Sequence, residues 1–123
     1  ASIAGLLPTA LDPIYGANKS AVVGLVRALG PSWADHRVRV NALCPGFADT
    51  EFIDGVRDLL ADTGIEVMDP ETVVDVFMTI LTSDSTGECW PVLPGLPSQP
   101  FQFAEIPGYQ SVYPEATSVR RSR

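Results

Sequence analysis

One feature limits the possible folds of this chain most strongly. It is an apolar pattern between Pro13 and Pro31 that is followed by a short apolar run at residues 38–44. Asp12 can cap a helix, and Pro13 fits the first helical position, where no N–H is needed. The spacing predicts a helix ended or kinked at Gly30-Pro31. Its core stripe recurs at three- and four-residue intervals and comprises Ala17, Ala21, Val22, Leu25, Val26 and Leu29.

The residues after this helix predict a buried strand. Residues 38–44 are rich in Val, Leu, Ala and Cys, and Pro45-Gly46 ends the run. A helix that leads into a buried strand is typical of α/β sheets, in which ligands lie beyond the carboxyl ends of the strands. Residues 45–50 therefore occupy a position typical of a ligand site.

Tyr15 and Lys19 lie at the start of the predicted helix, four residues apart. This spacing places their Cβ atoms on one helix face, about 5–6 Å apart. A phenol is a poor base at neutral pH, and a nearby ammonium favours its ionised form. Such a phenol can exchange a proton with an alcohol or carbonyl oxygen, which Ser2 could hold. The pair alone is also compatible with a buried aromatic residue and a solvated lysine; Ser2 and the Pro-Gly turn favour the catalytic interpretation.

Three segments in this order resemble the short-chain dehydrogenase/reductase family over residues 1–95: Ser2 with the Gly5-Leu6 that follows, Tyr15 with Lys19, and the run at residues 38–50. Within the family, residues 42–47 and the apolar run from Ser2 to Leu6 look most like the 15-hydroxyprostaglandin dehydrogenase branch. The resemblance implies an α/β fold, namely the carboxyl-terminal half of a doubly wound, mostly parallel Rossmann-type sheet. It also implies a homo-oligomer at full length.

The resemblance implies catalytic roles for Ser2, Tyr15 and Lys19. Tyr15 would be the acid/base, Lys19 would tune it, and Ser2 would position the substrate oxygen. The implied reaction is the NAD(P)-dependent interconversion of an alcohol and a carbonyl by hydride transfer, in which the dinucleotide supplies the hydride chemistry. A second hypothesis stays open, in which the chain is a catalytically inactive, truncated homologue that serves as a subunit or interaction module.

The resemblance further implies a cofactor, NAD or NADP with NAD favoured. Lys19 would hold the nicotinamide ribose, the main chain of the Pro-Gly turn would approach the carboxamide, and Thr50 would bind the amide or the pyrophosphate. The cofactor-binding set is Tyr15, Lys19, Pro45, Gly46, Phe47 and Thr50. The glycine-rich loop that seats the pyrophosphate in this family is not in the sequence. The chain is therefore expected to be a fragment that is inactive alone.

The segment after the Pro-Gly turn predicts two helices and a last strand. Residues 51–61 show an amphipathic pattern, Pro70 can open another helix, and residues 86–93 read as a turn and a strand. The side chains expected to face inward from the first of these are Phe52, Ile53, Val56, Leu59 and Leu60. In the family this region lies over the substrate. Its apolar residues are therefore either plain core or the walls of a pocket for a small apolar alcohol or ketone: Phe47, Phe52, Ile53, Val56 and Met68.

The composition limits which binding partners and which cellular compartment are expected for this protein. A net charge of −7 and a pI of about 4.4 argue against nucleic acid or an anionic membrane as a partner. No apolar run is as long as a membrane span. Cys44 lies in a predicted buried strand and suits the core of a reduced, cytoplasmic protein. His36 has no Cys, His or acidic partner at ligand spacing, so no metal is expected.

The character of the sequence changes after residue 95. Proline recurs there without helical or strand periodicity. We therefore divide the chain into a partial dehydrogenase domain, residues 1–95, and a Pro-rich tail, residues 96–123, that is extended or disordered. A polyproline ligand for an adaptor domain is the alternative interpretation of this tail.

Overall fold

A parallel two-stranded sheet is the centre of the computed structural model, which describes residues 1–112. Strand β1 (Ala42–Pro45) pairs with β2 (Cys89–Val92), and Ala42 lies opposite Cys89. Helix α1 (Pro13–Trp33) packs on the face that carries Ala42 and Cys44. Helix α3 (Pro70–Thr82) packs on the opposite face, against Trp90 and Val92. Helices on both faces of a parallel sheet confirm the predicted α/β class.

Helix α1 begins where the sequence predicts. Asp12 accepts a hydrogen bond from the Tyr15 N–H at 2.9 Å, and Pro13 is the first helical residue. The sequence predicts that Gly30-Pro31 either ends or kinks the helix; the first alternative is wrong, because the helix continues to Trp33, and the second stays a prediction. Proline removes only one N–H near the end of a 21-residue helix, and the turns before it keep their hydrogen bonds.

The predicted core stripe of α1 is only partly correct. Val26 is buried, but Leu25 is 56% exposed and Val22 is 39% exposed. The buried face instead comprises Gly16, Val23, Val26 and Gly30. The two glycines let the helix backbone approach its neighbours closely, and they therefore decide which side of the apolar stripe packs.

Strand β1 is shorter than the predicted run of residues 38–44. Residues 38–41 instead contact the turn before β2: the Val40 N–H donates to Thr86 Oγ1 at 3.1 Å, and the Gly87 N–H donates to the Val40 carbonyl at 2.7 Å. The Asn41 side chain joins the same turn, donating to the Ser85 carbonyl at 2.7 Å. Regular pairing starts only at Ala42 because a turn, rather than a strand, faces the residues before it.

The segment from residue 51 to 82 contains three helical elements. A 3₁₀-helix, Glu51–Val56, leads directly into α2 (Arg57–Asp62), and α3 follows a loop. The prediction that one amphipathic helix turns five apolar side chains inward is wrong for three of them, since only Ile53 and Leu60 are buried. A 3₁₀-helix has three residues per turn, so the periodicity of an α-helix does not hold across this segment.

Part of the Pro-rich segment packs against the sheet. Two backbone carbonyls of β2 accept hydrogen bonds from this segment. Ser98 Oγ donates to the Pro91 carbonyl at 2.6 Å, and the Phe101 N–H donates to the Cys89 carbonyl at 2.8 Å. Phe103 packs on the core beneath the Arg27 guanidinium, which lies 3.7 Å from the ring centroid. A short helix, α4 (Tyr109–Val112), follows. The rest of the tail lies outside the described residues, and the boundary at residue 95 stays a prediction.

Candidate active site

Ser2 is held at the carboxyl end of β1. It caps the 3₁₀-helix Ile3–Gly5, where its Oγ accepts a hydrogen bond from the Ala4 N–H at 3.2 Å. The same Oγ lies 3.5 Å from the Pro45 carbonyl, to which it donates. Only 8% of Ser2 is exposed. The hydroxyl is therefore fixed beside the Pro-Gly turn rather than free on the surface.

Tyr15 and Lys19 share one face of α1, as their spacing predicts. The Lys19 Nζ lies over the Tyr15 ring, 5.2 Å from its centroid. Both side chains are half-buried, so solvent screens the ammonium only in part. The arrangement places the ammonium over the face of the Tyr15 ring, which is the geometry of a cation–π contact.

Gly5 joins the Ser2 segment to the helix that carries this pair. A Cβ at Gly5 would lie 2.6 Å from the Lys19 carbonyl oxygen, which is closer than real contacts allow. The Ser20 hydroxyl also donates to the Gly5 carbonyl at 3.4 Å. Glycine is thus needed for the turn after Ser2 to rest on the backbone of Lys19. No signal in the sequence other than the small size of this residue indicated the contact.

The Pro-Gly turn is fixed by backbone hydrogen bonds. The Gly46 N–H donates to the Val92 carbonyl at 2.9 Å. The Met68 N–H donates to the Phe47 carbonyl at 2.8 Å, and the Asp49 N–H donates to the Met68 carbonyl at 2.9 Å. The segment that begins at Pro45 therefore leaves the sheet edge in a defined direction and carries Thr50 into solvent.

Thr50 is exposed, and its hydroxyl donates one long hydrogen bond of 3.5 Å, to the Ala48 carbonyl. A hydroxyl bound this weakly can turn to donate to, or accept from, a ligand. Of the residues predicted to bind the cofactor, Thr50 therefore offers a side-chain donor and acceptor that suits an amide or a phosphate.

The ion pairs of Arg57 with two carboxylates were not predicted from the sequence. Its guanidinium makes ion pairs with Asp49 at 2.7 Å and with Asp54 at 3.0 Å, next to Thr50. The hydrogen bonds that Arg57 donates to Asp49 and then to Asp54 raise the pKa of its guanidinium above the ordinary value. The spacing of Asp54 and Arg57, three residues apart, is a signal that could have indicated the second pair.

Cys44 lies directly behind Ser2. Its side chain is fully buried, between the Ser2 backbone N–H and the thiol of Cys89. Burial, followed by the neighbouring Cys89, raises the pKa of the Cys44 thiol to about 11. The expectation that Cys44 is a core residue is confirmed.

This shift predicts a pH dependence of stability. The Cys44 pKa rises from 9.0 to about 11 on folding, so its contribution is intact below pH 9.0 and is lost as the pH approaches 11. We expect the free energy of unfolding to fall over this window, and to fall less steeply in Cys44→Ala than in the wild-type chain. Urea unfolding at pH 8 and at pH 10.5 or so measures both slopes. Parallel slopes would contradict the buried, neutral thiol.

A match to a family model covers the part of the chain that contains these residues. The model, described as short chain dehydrogenase, matches residues 1–61. The matched range includes Ser2, Tyr15, Lys19 and the Pro-Gly turn. The chain belongs to the short-chain dehydrogenase family.

Known relatives agree with this assignment. Human 15-hydroxyprostaglandin dehydrogenase [NAD(+)] is 32% identical to this short-chain dehydrogenase over 102 aligned positions, and the alignment covers 68% of this chain and 38% of that protein. The 3-oxoacyl-[acyl-carrier protein] reductase from Brucella melitensis is 31% identical with a TM-score of 0.62, and covers 78% of this chain and 40% of that one. An actinorhodin polyketide ketoreductase variant with NADPH is 25% identical with a TM-score of 0.67, covering 78% and 44%.

The chain spans 38% of the length of this curated relative. The matched solved structures are Rossmann-type dehydrogenases and reductases, of which it likewise covers less than half. The fold is therefore the predicted part of a doubly wound, mostly parallel sheet, its carboxyl-terminal half.

The apolar side chains expected as pocket walls divide into two groups in this short-chain dehydrogenase. Ile53 and Met68 are buried, at 2% and 3% exposure, and Met68 packs with the core around Trp90. The burial of these two side chains favours the plain-core interpretation. Phe47 and Phe52 are 36% and 81% exposed and remain available to a ligand.

A separate shallow cavity lies away from the candidate site. It has a volume of about 290 Å³ and is lined by Arg39, Asn41, Leu43, Phe77, Ile80 and Leu81. Arg39 and Asn41 precede β1, so the cavity lies towards the amino end of that strand, whereas Ser2 contacts the carboxyl end. Within residues 1–112 no group of three or more His, Cys, Asp or Glu side chains could hold a metal ion.

Proposed function

We propose that the whole protein is an NAD(P)-dependent oxidoreductase that interconverts an alcohol and a carbonyl. One observation carries the proposal: Gly5, three residues after Ser2, rests on the Lys19 backbone of the helix that carries Tyr15 and Lys19, and Ser2 donates to the Pro45 carbonyl. This arrangement offers a proton donor and acceptor, a neighbouring positive charge and a second hydroxyl from separate but joined elements. Membership of the short-chain dehydrogenase family supports it.

In the proposed mechanism Tyr15 moves the proton, and the other residues position the substrate, the cofactor or the phenol. Tyr15 takes the alcohol proton during oxidation and returns it during reduction. Lys19 stabilises the ionised phenol and binds the nicotinamide ribose, while Ser2 Oγ donates a hydrogen bond to the substrate oxygen. The backbone at Pro45, Gly46 and Phe47, with the Thr50 hydroxyl, orients the nicotinamide amide. The bound dinucleotide supplies the hydride chemistry.

We propose an apolar secondary alcohol or its ketone as the substrate, and NAD rather than NADP as the cofactor. Phe47, Phe52 and Val56 expose apolar surface after the Pro-Gly turn. The similar human enzyme carries prostaglandin and NAD(+) in its name. A cytoplasmic location and a homo-oligomer complete the proposal. No helix within residues 1–112 is long and apolar enough to cross a bilayer.

A substrate screen tests this proposal. The whole protein is titrated with NADH and NADPH by fluorescence, and then assayed with lipid-like secondary alcohols, steroid alcohols, polyols and phosphorylated sugars. We expect dinucleotide binding, and turnover that is at least about tenfold higher for the apolar alcohols, since each well-buried methylene contributes about 0.8 kcal/mol. Preference for a polyol would contradict the substrate class. Failure to bind either dinucleotide would favour the inactive homologue.

A further inference from the structure

Arg57, the first residue of α2, reaches back to the segment that carries Thr50. Its Nη1 donates to Asp49 Oδ1 at 2.7 Å, and its Nη2 donates to Asp54 Oδ1 at 3.0 Å and to the Thr50 carbonyl at 3.4 Å. One planar guanidinium thus contacts Thr50 and a residue on each side of it, Asp49 and Asp54. Arginine suits this role because its donors form a rigid fork that can bind several oxygens at once.

The other described contacts of this segment include two backbone hydrogen bonds and one buried side chain. The Asp49 N–H donates to the Met68 carbonyl, the Ile53 N–H donates to the Thr50 carbonyl at 3.2 Å, and the side chain of Ile53, in the 3₁₀-helix Glu51–Val56, is buried. Thr50 precedes that helix but makes no side-chain cap for it. Among the described side chains, Arg57 therefore makes most of the hydrogen bonds to the turn between Asp49 and Asp54.

The surroundings of Arg57 are strongly acidic. Between residues 46 and 69 the sequence has no other Lys or Arg. The acidic side chains of the same stretch are Asp49, Glu51, Asp54, Asp58, Asp62, Glu66 and Asp69. Asp49 and Asp54, which flank Thr50, are the two carboxylates that Arg57 neutralises. Without it, two uncompensated negative charges would stand beside a residue proposed to meet an anionic dinucleotide.

We propose that Arg57 is a positioning residue for the dinucleotide, which holds and neutralises Asp49 and Asp54 so that the segment with Thr50 can receive an anionic ligand. The inference rests on the proposed function, because the dinucleotide is the ligand proposed there. It does not require the ion pairs to stabilise the fold. All three side chains are substantially exposed, and exposed ion pairs add little to stability.

The test compares Arg57→Gln with the wild-type whole protein by NADH titration. We expect about 3- to 10-fold weaker binding at low salt, as one or two like charges near a phosphate cost this much in a water-rich setting. The difference should shrink in about 1 M salt, where the screening length falls to roughly 3 Å. The triple variant Asp49→Asn/Asp54→Asn/Arg57→Gln should regain most of the affinity, because no carboxylate is then left unpaired.

A second measurement reads the segment without any dinucleotide. Amide hydrogen exchange at residues 49–54 should be faster in Arg57→Gln than in the wild type. Exchange in β1 should not change, because its hydrogen bonds do not involve Arg57. Arg37→Gln is the matched control: it removes one exposed positive charge at the end of the 3₁₀-helix Ala34–His36 and should change neither NADH affinity nor exchange at residues 49–54.

The outcomes separate the two proposals. Equal NADH affinity in Arg57→Gln and wild type would overturn the role of Arg57 and leave the proposed function standing. Weaker binding that neither salt nor the neutralised triple variant corrects would also overturn it, since the loss would then be structural. A wild-type protein that binds no dinucleotide would overturn both.

Discussion

Replacing Tyr15 with Phe should lower turnover of the whole protein by about 10²–10⁴-fold, which is the usual contribution of a positioned acid/base. The substitution removes one oxygen and keeps the ring, so the contact with the Lys19 ammonium, 5.2 Å from the ring centroid, can persist. The Tyr15 backbone N–H also keeps its hydrogen bond to Asp12, since this bond does not involve the side chain. The helix should therefore remain intact while proton transfer fails.

Three measurements distinguish this result from a general loss of structure. NADH affinity should stay within about threefold of wild type, because in the proposed site Lys19 and the Pro-Gly turn supply the main contacts. The thermal midpoint should be nearly unchanged, as surface and half-buried substitutions usually alter stability little. Tyr109→Phe, the same chemical change in α4, should leave kcat at its wild-type value. Turnover of Tyr15→Phe within threefold of wild type would refute the assignment of the acid/base.

The backbone elements near the site could be predicted because local signals decide them. Asp12 and Pro13 set the start of α1, and Pro45-Gly46 ends β1, both by chemistry that operates within a few residues. The order of helix, strand and turn then implies the α/β class. The start of β1 at Ala42, in contrast, depends on whether a strand or a turn lies opposite, and that partner is more than 40 residues away in the sequence.

The side chains of residues 47–57 were harder to predict, because a change in helix type alters which of them face inward. The apolar pattern alone gave Phe52 and Ile53 the same expected burial, yet Phe52 is 81% exposed and Ile53 is 2% exposed. Charge patterns are similarly ambiguous. Between residues 46 and 69 the sequence has seven carboxylates and one arginine, a pattern that indicates a solvated face. Only the structure shows that Arg57 forms an ion pair with Asp49.

Substitution by alanine should change the free energy of unfolding in opposite directions at two glycines of α1, Gly24 and Gly30. In α1, a Cβ at Gly30 would lie 2.2 Å from the Cα and the N of Gly87, whereas a Cβ at Gly24 would meet nothing within 4 Å. The backbone around Gly87 cannot easily retreat. Its φ of +77° is a left-handed conformation, its N–H is bonded to the Val40 carbonyl at 2.7 Å, and it leads into β2.

Gly24→Ala should therefore raise the free energy of unfolding by about 0.5–1 kcal/mol, the usual gain from alanine in a helix interior. Gly30→Ala gains the same helix propensity but must separate α1 from the turn before β2, so we expect a net loss of about 1–3 kcal/mol or more. Urea unfolding followed by far-ultraviolet circular dichroism measures both variants against the wild type. A stabilised Gly30→Ala variant would mean that α1 and the turn at Gly87 are not in contact. The position of α1 on the sheet, and with it the placement of Tyr15 relative to Ser2, would then need another explanation.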